Sequence, residues 1–146
     1  AANNSGCAGA GCYRIFGPGS ETLADMVRAS IIHWLGPQMP QYIGREHELP
    51  FDQHSLKALV APRALLTLEA LGDHWANPTG TWATHLAARE AWRLLGAEER
   101  VAIWFREGEH SHGLIDWLAF LDFVDWQFRG RWPSFNYNAS PFQPGF

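Results

Sequence analysis

Two short apolar runs decide the fold: residues 64–68 read Ala-Leu-Leu-Thr-Leu, and residues 101–105 read Val-Ala-Ile-Trp-Phe. Neither run alternates between apolar and polar side chains, which is the pattern of strands buried on both faces in a parallel sheet. Between the two runs, residues 82–95 show a helical period rich in alanine and leucine. After the second run, residues 114–128 predict a strongly apolar second helix. Strand, loop, helix, strand, loop, helix is the order of an α/β fold with right-handed crossovers.

The N-terminal half predicts fewer regular elements. Its first 20 residues are rich in glycine and predict a loop with a short strand at 12–16. The spacing of apolar residues predicts a helix over 21–35 with Ser20 as its N-cap. A short helix is expected over 54–60, closed by Pro62.

The composition is that of one compact globular domain. Of 146 residues, 47% are hydrophobic and 18% are charged, which is enough for a core. The net charge is −4 and the chain has one lysine, so no nucleic-acid partner is expected, because neutralising phosphates needs clustered Lys and Arg. No apolar run approaches the roughly 18 residues of a membrane span. We expect residues 1–130 to form the domain and residues 131–146, rich in proline and aromatics, to form an extended tail.

The loops after the two predicted strands carry the side chains that could perform chemistry. Both are rich in carboxylates and histidines: Glu69, Asp73 and His74 in the first, and Glu107, Glu109, His110 and His112 in the second. Loops at the carboxyl ends of adjacent parallel strands lie together, so an acid on one can orient a histidine on the other. In α/β-hydrolases the chain order is nucleophile, acid, histidine, and Asp73 precedes His110. We therefore expect His110 to be the catalytic base of a serine hydrolase, supported by Asp73.

The sequence leaves other interpretations open. His110 and His112 together with Asp73 could hold a metal, although a third clear ligand is missing. Asp73 could simply cap or turn its loop. No Gly-x-Ser-x-Gly elbow occurs in the sequence, so the order argument places the nucleophile upstream of residue 1. Cys7, which lies among glycines, is the weaker alternative for that role.

Several stretches of the chain match a known family in order and spacing. They include residues 4–10 (Asn-Ser-Gly-Cys-Ala-Gly-Ala), 49–54 (Leu-Pro-Phe-Asp-Gln-His), 61–66 (Ala-Pro-Arg-Ala-Leu-Leu), 73–80 (Asp-His-Trp-Ala-Asn-Pro-Thr-Gly) and 108–112 (Gly-Glu-His-Ser-His). From residue 3 to about residue 128 the chain resembles the C-terminal part of the glucuronoyl esterases, carbohydrate esterase family 15, bacterial type. The resemblance implies the C-terminal portion of an α/β-hydrolase, a three-layer sandwich with a mostly parallel sheet.

The resemblance also implies roles for individual residues. His110 occupies the position of the catalytic histidine. Many members place the triad acid, a glutamate, at the position of Asn4, which cannot serve as a carboxylate. Other bacterial members put the acid two residues before a tryptophan, where Asp73 stands before Trp75, and Glu69 is the reserve candidate.

Substrate contacts follow from the same resemblance. Trp75 matches the tryptophan that faces the glucuronate, and Glu21 falls near a position where many members use glutamine to contact sugar hydroxyls. The implied activity is a serine esterase that cleaves esters of (4-O-methyl-)glucuronate on xylan or in lignin–carbohydrate esters, without a cofactor or metal. The upstream half of the same domain would be needed, so these residues alone should be inactive. A secreted or periplasmic location is expected.

Two further interpretations remain beside the glucuronate esterase. One is an acetyl esterase or peptidase of the same fold and triad order. The other is a non-catalytic carbohydrate-binding relative in which Trp75 and Trp82 bind sugar and His110 has no chemical role.

Overall fold

A computed structural model describes residues 1–142, apart from the side chain of Ile32. The sheet of this part of the chain has three parallel strands in the order β1 (Ala2–Asn3), β2 (Leu65–Ala70) and β3 (Val101–Arg106). The two strands predicted from the apolar runs are confirmed, and each ends one or two residues later than expected. β1 was not predicted, since two residues are too few to show a periodicity.

Helices occupy most of the remaining regular structure. The α-helices are α1 (Leu23–Arg28), α2 (Gln53–Ala58), α3 (Pro78–Leu94) and α4 (Leu114–Arg129). Short 3-10 helices lie at Ile32–Trp34, Met39–Tyr42, Glu46–Glu48, His74–Ala76 and Glu98–Arg100. Within the described residues, no helix is both long enough and apolar enough to cross a bilayer.

The two long helices cover opposite faces of the sheet. Alternate residues of a strand point to opposite faces. Leu66 and Leu68 of β2 pack in one cluster with Phe123 of α4, whereas Leu65 packs in another cluster with Trp92 of α3. Each fully buried leucine contributes roughly 2 kcal/mol of hydrophobic stabilisation. The arrangement is a helix–sheet–helix sandwich, which agrees with the fold expected from the sequence.

The helix predicted over 21–35 begins at Leu23. Its N-cap is Thr22 rather than Ser20. The Thr22 hydroxyl accepts the amide hydrogen of Asp25 at 3.2 Å, and the Asp25 carboxylate accepts the amide hydrogen of Thr22 at 2.9 Å. This reciprocal capping box satisfies two of the amide groups that the start of a helix leaves without partners.

The same helix ends at Arg28, seven residues earlier than predicted. Ser30 takes the left-handed conformation, with φ of 58°. The amide of Ser30 then donates to Val27 O at 3.1 Å, and the amide of Ile31 donates to Met26 O at 3.0 Å. This is a Schellman termination, and Ile31 packs against the cluster that contains Met26. The apolar period therefore continues past the point where the backbone turns.

Residues 12–16 form an irregular bend instead of the predicted strand. The amide of Tyr13 donates to Asp52 at 3.0 Å, and the Cys12 thiol donates to the same carboxylate at 3.1 Å. Asp52 is also the N-cap of α2, where it accepts the amide hydrogen of Gln53 at 2.7 Å. This segment therefore forms hydrogen bonds to a helix cap and not to a neighbouring strand.

Helix α2 lies within one or two residues of the helix predicted over 54–60, and the two long helices also follow the predictions. α3 begins at Pro78, four residues earlier than expected, because the side chain of Asn77 accepts the amide hydrogen of Gly80 at 2.9 Å and proline suits the first helical position. α4 is confirmed almost to the residue, and the left-handed Gly130, with φ of 67°, ends it.

Residues 131–142 contain neither helix nor strand and pack along the outer edge of β3. Asn138 N donates to Ile103 O at 2.8 Å, and Asn138 Oδ1 accepts from Ile103 N at 3.0 Å. The Asn138 amide nitrogen also donates to Val101 O at 3.3 Å. One asparagine thus pairs with an edge that would otherwise be open. Residues 143–146 of the predicted tail lie outside the described residues, and the boundary near residue 130 stays a prediction.

Candidate active site

The loops after β2 and β3 touch at two glycines. Gly72 N donates to Gly108 O at 2.9 Å. A Cβ on Gly72 would lie 2.6 Å from that oxygen, so a larger residue could not keep the loops this close. Beside this contact, the Nδ1 atom of His110 lies 2.7 Å from Oδ2 of Asp73. The structure therefore brings together the two residues that the sequence analysis paired.

The hydrogen bond between His110 and Asp73 fixes the tautomer of the imidazole. An ionised carboxylate can only accept, so Nδ1 of His110 donates to Asp73. In the neutral ring Nε2 is then the basic nitrogen, and it makes no hydrogen bond within residues 1–142. The side chain of His110 is 71% exposed, whereas that of Asp73 is 4% exposed. A buried acid thus holds an exposed base.

Asp73 also caps its own loop. Its Oδ1 atom accepts the amide hydrogen of Ala76 at 3.3 Å, at the start of the 3-10 helix His74–Ala76. The capping interpretation and the pairing with His110 are therefore both satisfied, each by a different oxygen. These two hydrogen bonds restrict rotation of the Asp73 carboxylate and so limit the positions that the imidazole can take.

His110 lines an open pocket of about 380 Å³. The other lining residues come from the loop after β1, from the segment around α1 and from the loop after β2: Asn3, Asn4, Ser5, Gly6, Glu21, Ile31, Trp34 and Trp75. Trp75 is 50% exposed and Trp34 is 66% exposed. Rings that are apolar on their faces and accessible at the surface can cover a flat ligand. The sequence predicts a substrate contact for Trp75 and no role for Trp34.

Glu21 connects the glycine-rich loop to the Trp75 segment. Glu21 N donates to Trp75 O at 2.9 Å, and Glu21 Oε2 accepts the amide hydrogen of Cys7 at 3.1 Å. A Cβ on Gly6, whose φ is +60°, would lie 2.4 Å from Oε2. Oε1 makes no hydrogen bond within the described residues. Glu21 is therefore a buried structural carboxylate with one oxygen left for a ligand.

Asn4 lies between the strands and the histidine loop. It is 4% exposed and has a left-handed φ of 42°. Its Oδ1 accepts the amide hydrogen of Ala70 at 2.7 Å, and its Nδ2 donates to Ser111 O at 3.3 Å. Asn4 thus supports the histidine loop through the backbone and makes no hydrogen bond to the imidazole of His110.

Glu69, the reserve candidate for the acid, makes no hydrogen bond to His110. It is fully buried, and both of its carboxylate oxygens lack a hydrogen-bond partner among the described residues. Burial raises the pKa of Glu69 to about 8, and Lys57 opposes the rise. Burial also lowers the pKa of Lys57 to about 7. The ammonium of Lys57 donates to the Thr84 hydroxyl at 2.8 Å. Glu69 and Lys57 are therefore two buried titratable side chains that influence each other's pKa. From the sequence, only Glu69 was a candidate site residue.

Of the three residues in the metal interpretation, only His110 and Asp73 come together in the structure. The ring of His112 packs edge-on against Trp117, with centroids 4.8 Å apart. In the part of the chain that the structure describes, no three His, Cys, Asp or Glu side chains form a group that could hold a metal ion. His110 and Asp73 thus have no third ligand there.

Cys7 lacks the environment of a nucleophilic thiol. It is fully buried, and its Sγ lies 3.6 Å from Sδ of Met26. Burial raises the pKa of the Cys7 thiol well above its usual range, and the charge of Glu21 raises it further. A reactive cysteine needs a lowered pKa.

The sheet, its two helix layers and the acid–histidine pair at the carboxyl ends of adjacent strands define the class of α/β-hydrolases. Residues 1–96 match the family model described as glucuronyl esterase of fungi. The chain belongs to this glucuronyl esterase family.

Named relatives agree with this assignment. The chain is 33% identical over 144 residues to carbohydrate esterase MZ0003 of an unknown prokaryotic organism, covering 88% of this chain and 32% of the relative. It is 36% identical over 99 residues to 4-O-methyl-glucuronoyl methylesterase 1 of Sodiomyces alcalophilus, covering 64% of this chain and 20% of the relative. The chain therefore spans about a third or less of the length of these relatives.

Solved structures show the same likeness in three dimensions. A carbohydrate esterase family 15 glucuronoyl esterase from Caldicellulosiruptor kristjansonii is 32% identical, with a TM-score of 0.89 over 97% of this chain and 39% of that one. The glucuronoyl esterase catalytic domain from Hypocrea jecorina is 26% identical, with a TM-score of 0.76 over 90% of this chain and 38% of that one.

Proposed function

We propose that these residues form the acid–histidine half of the active site of a serine esterase that cleaves esters of 4-O-methyl-glucuronate. The 2.7 Å hydrogen bond between His110 and the buried Asp73 carries the proposal. It leaves the basic Nε2 unpaired within the described residues, on a side chain that lines the pocket. Membership of the family and the named activity of the methylesterase relatives support the choice of ester.

The reaction needs a serine from a segment of the polypeptide outside these residues. Its oxygen attacks the ester carbonyl carbon while Nε2 of His110 takes the hydroxyl proton, and Asp73 stabilises the imidazolium that forms. When the C–O bond to the alcohol breaks, the imidazolium returns the proton to the leaving oxygen. Nε2 then takes a proton from water, whose oxygen attacks the acyl-enzyme, and the freed serine regains a proton as the glucuronate leaves.

The pocket supports a sugar acid as the acyl group. The exposed face of Trp75 would border the uronate ring. The second oxygen of Glu21 would accept a hydrogen bond from a sugar hydroxyl, a role that resembles the glutamine contact of many family members. Trp34 lies on the same pocket and would bound the space left for the rest of the substrate.

The proposal extends to the rest of the protein. The substrate would be an ester of glucuronoxylan or a lignin–carbohydrate ester. Because such polymers cannot enter a cell, the enzyme would act in a secreted or periplasmic location. The remaining part of the hydrolase domain would supply the nucleophile and the donors that stabilise the oxyanion.

The test uses the full-length polypeptide that carries these residues and the methyl ester of 4-O-methyl-glucuronate. His110→Ala should lower kcat on the order of 10,000-fold, since removal of a triad member costs several powers of ten. His112→Ala is the matched control, because His112 lies in the same loop as His110 but packs its ring on Trp117 of α4. The kcat of this variant should stay within about three-fold of wild type. Near-normal turnover by the His110 variant would contradict the proposal.

The same protein separates the rival functions. Preference for acetylated xylan or for a peptide amide over the glucuronate ester would indicate an acetyl esterase or a peptidase. Failure of the wild-type protein to react with a serine-directed phosphonate would indicate a non-catalytic carbohydrate-binding protein.

A further inference from the structure

Arg106, the last residue of β3, makes a buried ion pair beneath the histidine loop. Its Nε donates to Oδ1 of Asp116 at 2.8 Å, and the two side chains are only 9% and 1% exposed. The other oxygen of Asp116 accepts the amide hydrogen of Gly113 at 2.8 Å, where α4 begins. The pair therefore joins the end of β3 to the start of α4, and these two points are the ends of the loop that carries His110.

The rest of the guanidinium bonds to the loop backbone. Nη1 donates to Glu107 O at 3.1 Å. Nη2 shares its two hydrogens among Glu109 O at 3.3 Å, Ser111 O at 2.7 Å and Ser111 Oγ at 3.0 Å. The residues on both sides of His110 are thus held by one nitrogen atom of Arg106.

The loop can wrap around the guanidinium because residue 108 is glycine. Gly108 has a φ of +108°, a conformation that L side chains rarely adopt, and a Cβ there would lie 3.0 Å from Nη1 of Arg106. A further donor, Nδ2 of Asn3, reaches Ser111 O at 3.1 Å from β1, which lies on the other side of β2 in the sheet. The backbone of the loop is therefore fixed from the sheet side, while the imidazole of His110 stays exposed.

We propose that Arg106 is a positioning residue, which holds the backbone on either side of His110 so that the imidazole is preset for proton transfer. The inference rests on the proposed function. Within residues 1–142 the exposed ring makes one hydrogen bond, to Asp73, so its direction also depends on the backbone that carries it. A planar fork with several donors suits this task, whereas lysine offers a single point of charge.

Substitution of Arg106 should affect the chemical step more than substrate binding. In the full-length protein, Arg106→Lys and Arg106→Ala should lower kcat on the methyl ester of 4-O-methyl-glucuronate by about 10- to 100-fold, because a displacement of about 1 Å costs up to that much. KM should change by less than about three-fold. Arg129→Ala is the control, since Arg129 forms an exposed ion pair with Asp125 at the other end of α4, and its kcat should stay near wild type.

A second readout separates positioning from general loss of structure. Guanidinium at tens of millimolar should restore part of the kcat of Arg106→Ala and none of that of His110→Ala. The downfield proton resonance of the Nδ1–H···Asp73 hydrogen bond, assigned by its loss in His110→Ala, should broaden or shift in both Arg106 variants and persist in Arg129→Ala.

The outcomes distinguish this inference from the proposed function. If the wild-type protein does not cleave the ester, the proposed function fails, and the resonance alone decides whether Arg106 positions the ring. The inference is overturned if the Arg106 variants keep the resonance and wild-type kcat, or if lost activity follows the unfolded fraction in thermal melts without rescue by guanidinium. Arg106→Lys provides the measurement should Arg106→Ala fail to fold.

Discussion

The exposure of His110 and the burial of Asp73 divide the work between the two side chains. The side chain of His110 is 71% exposed, which the proposed reaction with a substrate requires, and an exposed ring with no hydrogen bond would be free to rotate. Asp73 is 4% exposed and accepts hydrogen bonds from both Ala76 N and His110 Nδ1. These two hydrogen bonds restrict rotation of the carboxylate, which together with the loop backbone sets the direction of the imidazole.

Replacing the Asp73 carboxylate by an amide tests this arrangement. In Asp73→Asn the amide can donate to Nδ1, which stabilises the tautomer with its proton on Nε2, the wrong atom for a base. We expect kcat of the full-length enzyme to fall by about 100- to 10,000-fold, with a loss of stability of about 1 kcal/mol. Glu109→Gln, in the exposed part of the histidine loop, should keep wild-type kcat. Steady-state kinetics and thermal melts check both, and an active Asp73→Asn enzyme would show that another group orients His110.

Glu69 predicts a pH dependence of stability. Its pKa is about 8 in the folded protein, raised by burial above the usual 4.5, so between pH 5 and 7 the folded state keeps a proton that the unfolded state has lost. Stability should therefore fall as pH rises through this window. Lys57, with a folded pKa of about 7 against 10.5, acts in the opposite direction and mostly above pH 7.

The Glu69→Gln variant isolates this contribution. Glutamine has nearly the same shape and no charge to lose, so the free energy of unfolding should fall less steeply between pH 5 and 7 than in the wild-type protein. Glu90→Gln, which changes a carboxylate in an exposed ion pair with Arg93, should leave the slope unchanged. Urea melts at several pH values measure the slopes. Equal slopes in wild type and Glu69→Gln would mean that Glu69 is ionised in the folded state.

At the scale of elements, the two loops depend on their contact at Gly72. A Cβ at this position would lie 2.6 Å from the carbonyl oxygen of Gly108, so Gly72→Ala must push the acid loop away from the histidine loop. We expect kcat to fall by at least about 10-fold, because the Asp73–His110 distance sets the geometry of the base. Gly36→Ala is the control, since nothing lies within 4 Å of a Cβ there. Kinetics of the two variants should differ, and equal activity would mean that the loops tolerate separation.

The elements differ in how far the sequence alone could predict them. β2 and β3 begin as largely apolar runs, and most of their residues are buried in the sheet, as that pattern predicts. β1 has two residues and exists because Ala2 and Asn3 pair with Thr67 and Leu68 of β2. A pairing between residues that lie so far apart in the chain leaves no local pattern, so it could not be predicted.

The residues of the site also differ in how far the sequence alone could predict them. Asp73 and His110 could be paired from chain order and from the geometry of parallel strands. The resemblance to the glucuronoyl esterases pointed to Trp75. Arg106 was missed, although an arginine that ends a buried strand immediately before the histidine loop was a visible signal. The position of Trp34 on the pocket depends on the early end of α1, and the apolar period did not show that end.

On the scale of the whole molecule, α4 has an apolar face that the described residues 1–142 leave exposed. Leu114, Trp117, Leu121 and Phe128 are 75%, 53%, 54% and 72% exposed. Large apolar patches of this kind mark a surface that meets another protein surface. The opposite face of α4 already packs on the sheet through Phe123. The proposed remainder of the hydrolase domain is the cover that fits a helix buried on one face only.

The last prediction follows from this uncovered face and from the short edge strand β1. Expressed alone, the 146 residues should associate or bind a hydrophobic dye, because an exposed strand edge and an apolar patch both favour contact between chains. Light scattering and dye fluorescence should show this, and the full-length protein should show neither. Leu114→Ser together with Leu121→Gln should reduce association of the isolated chain. A soluble monomer that melts cooperatively and binds no dye would mean that this face needs no cover.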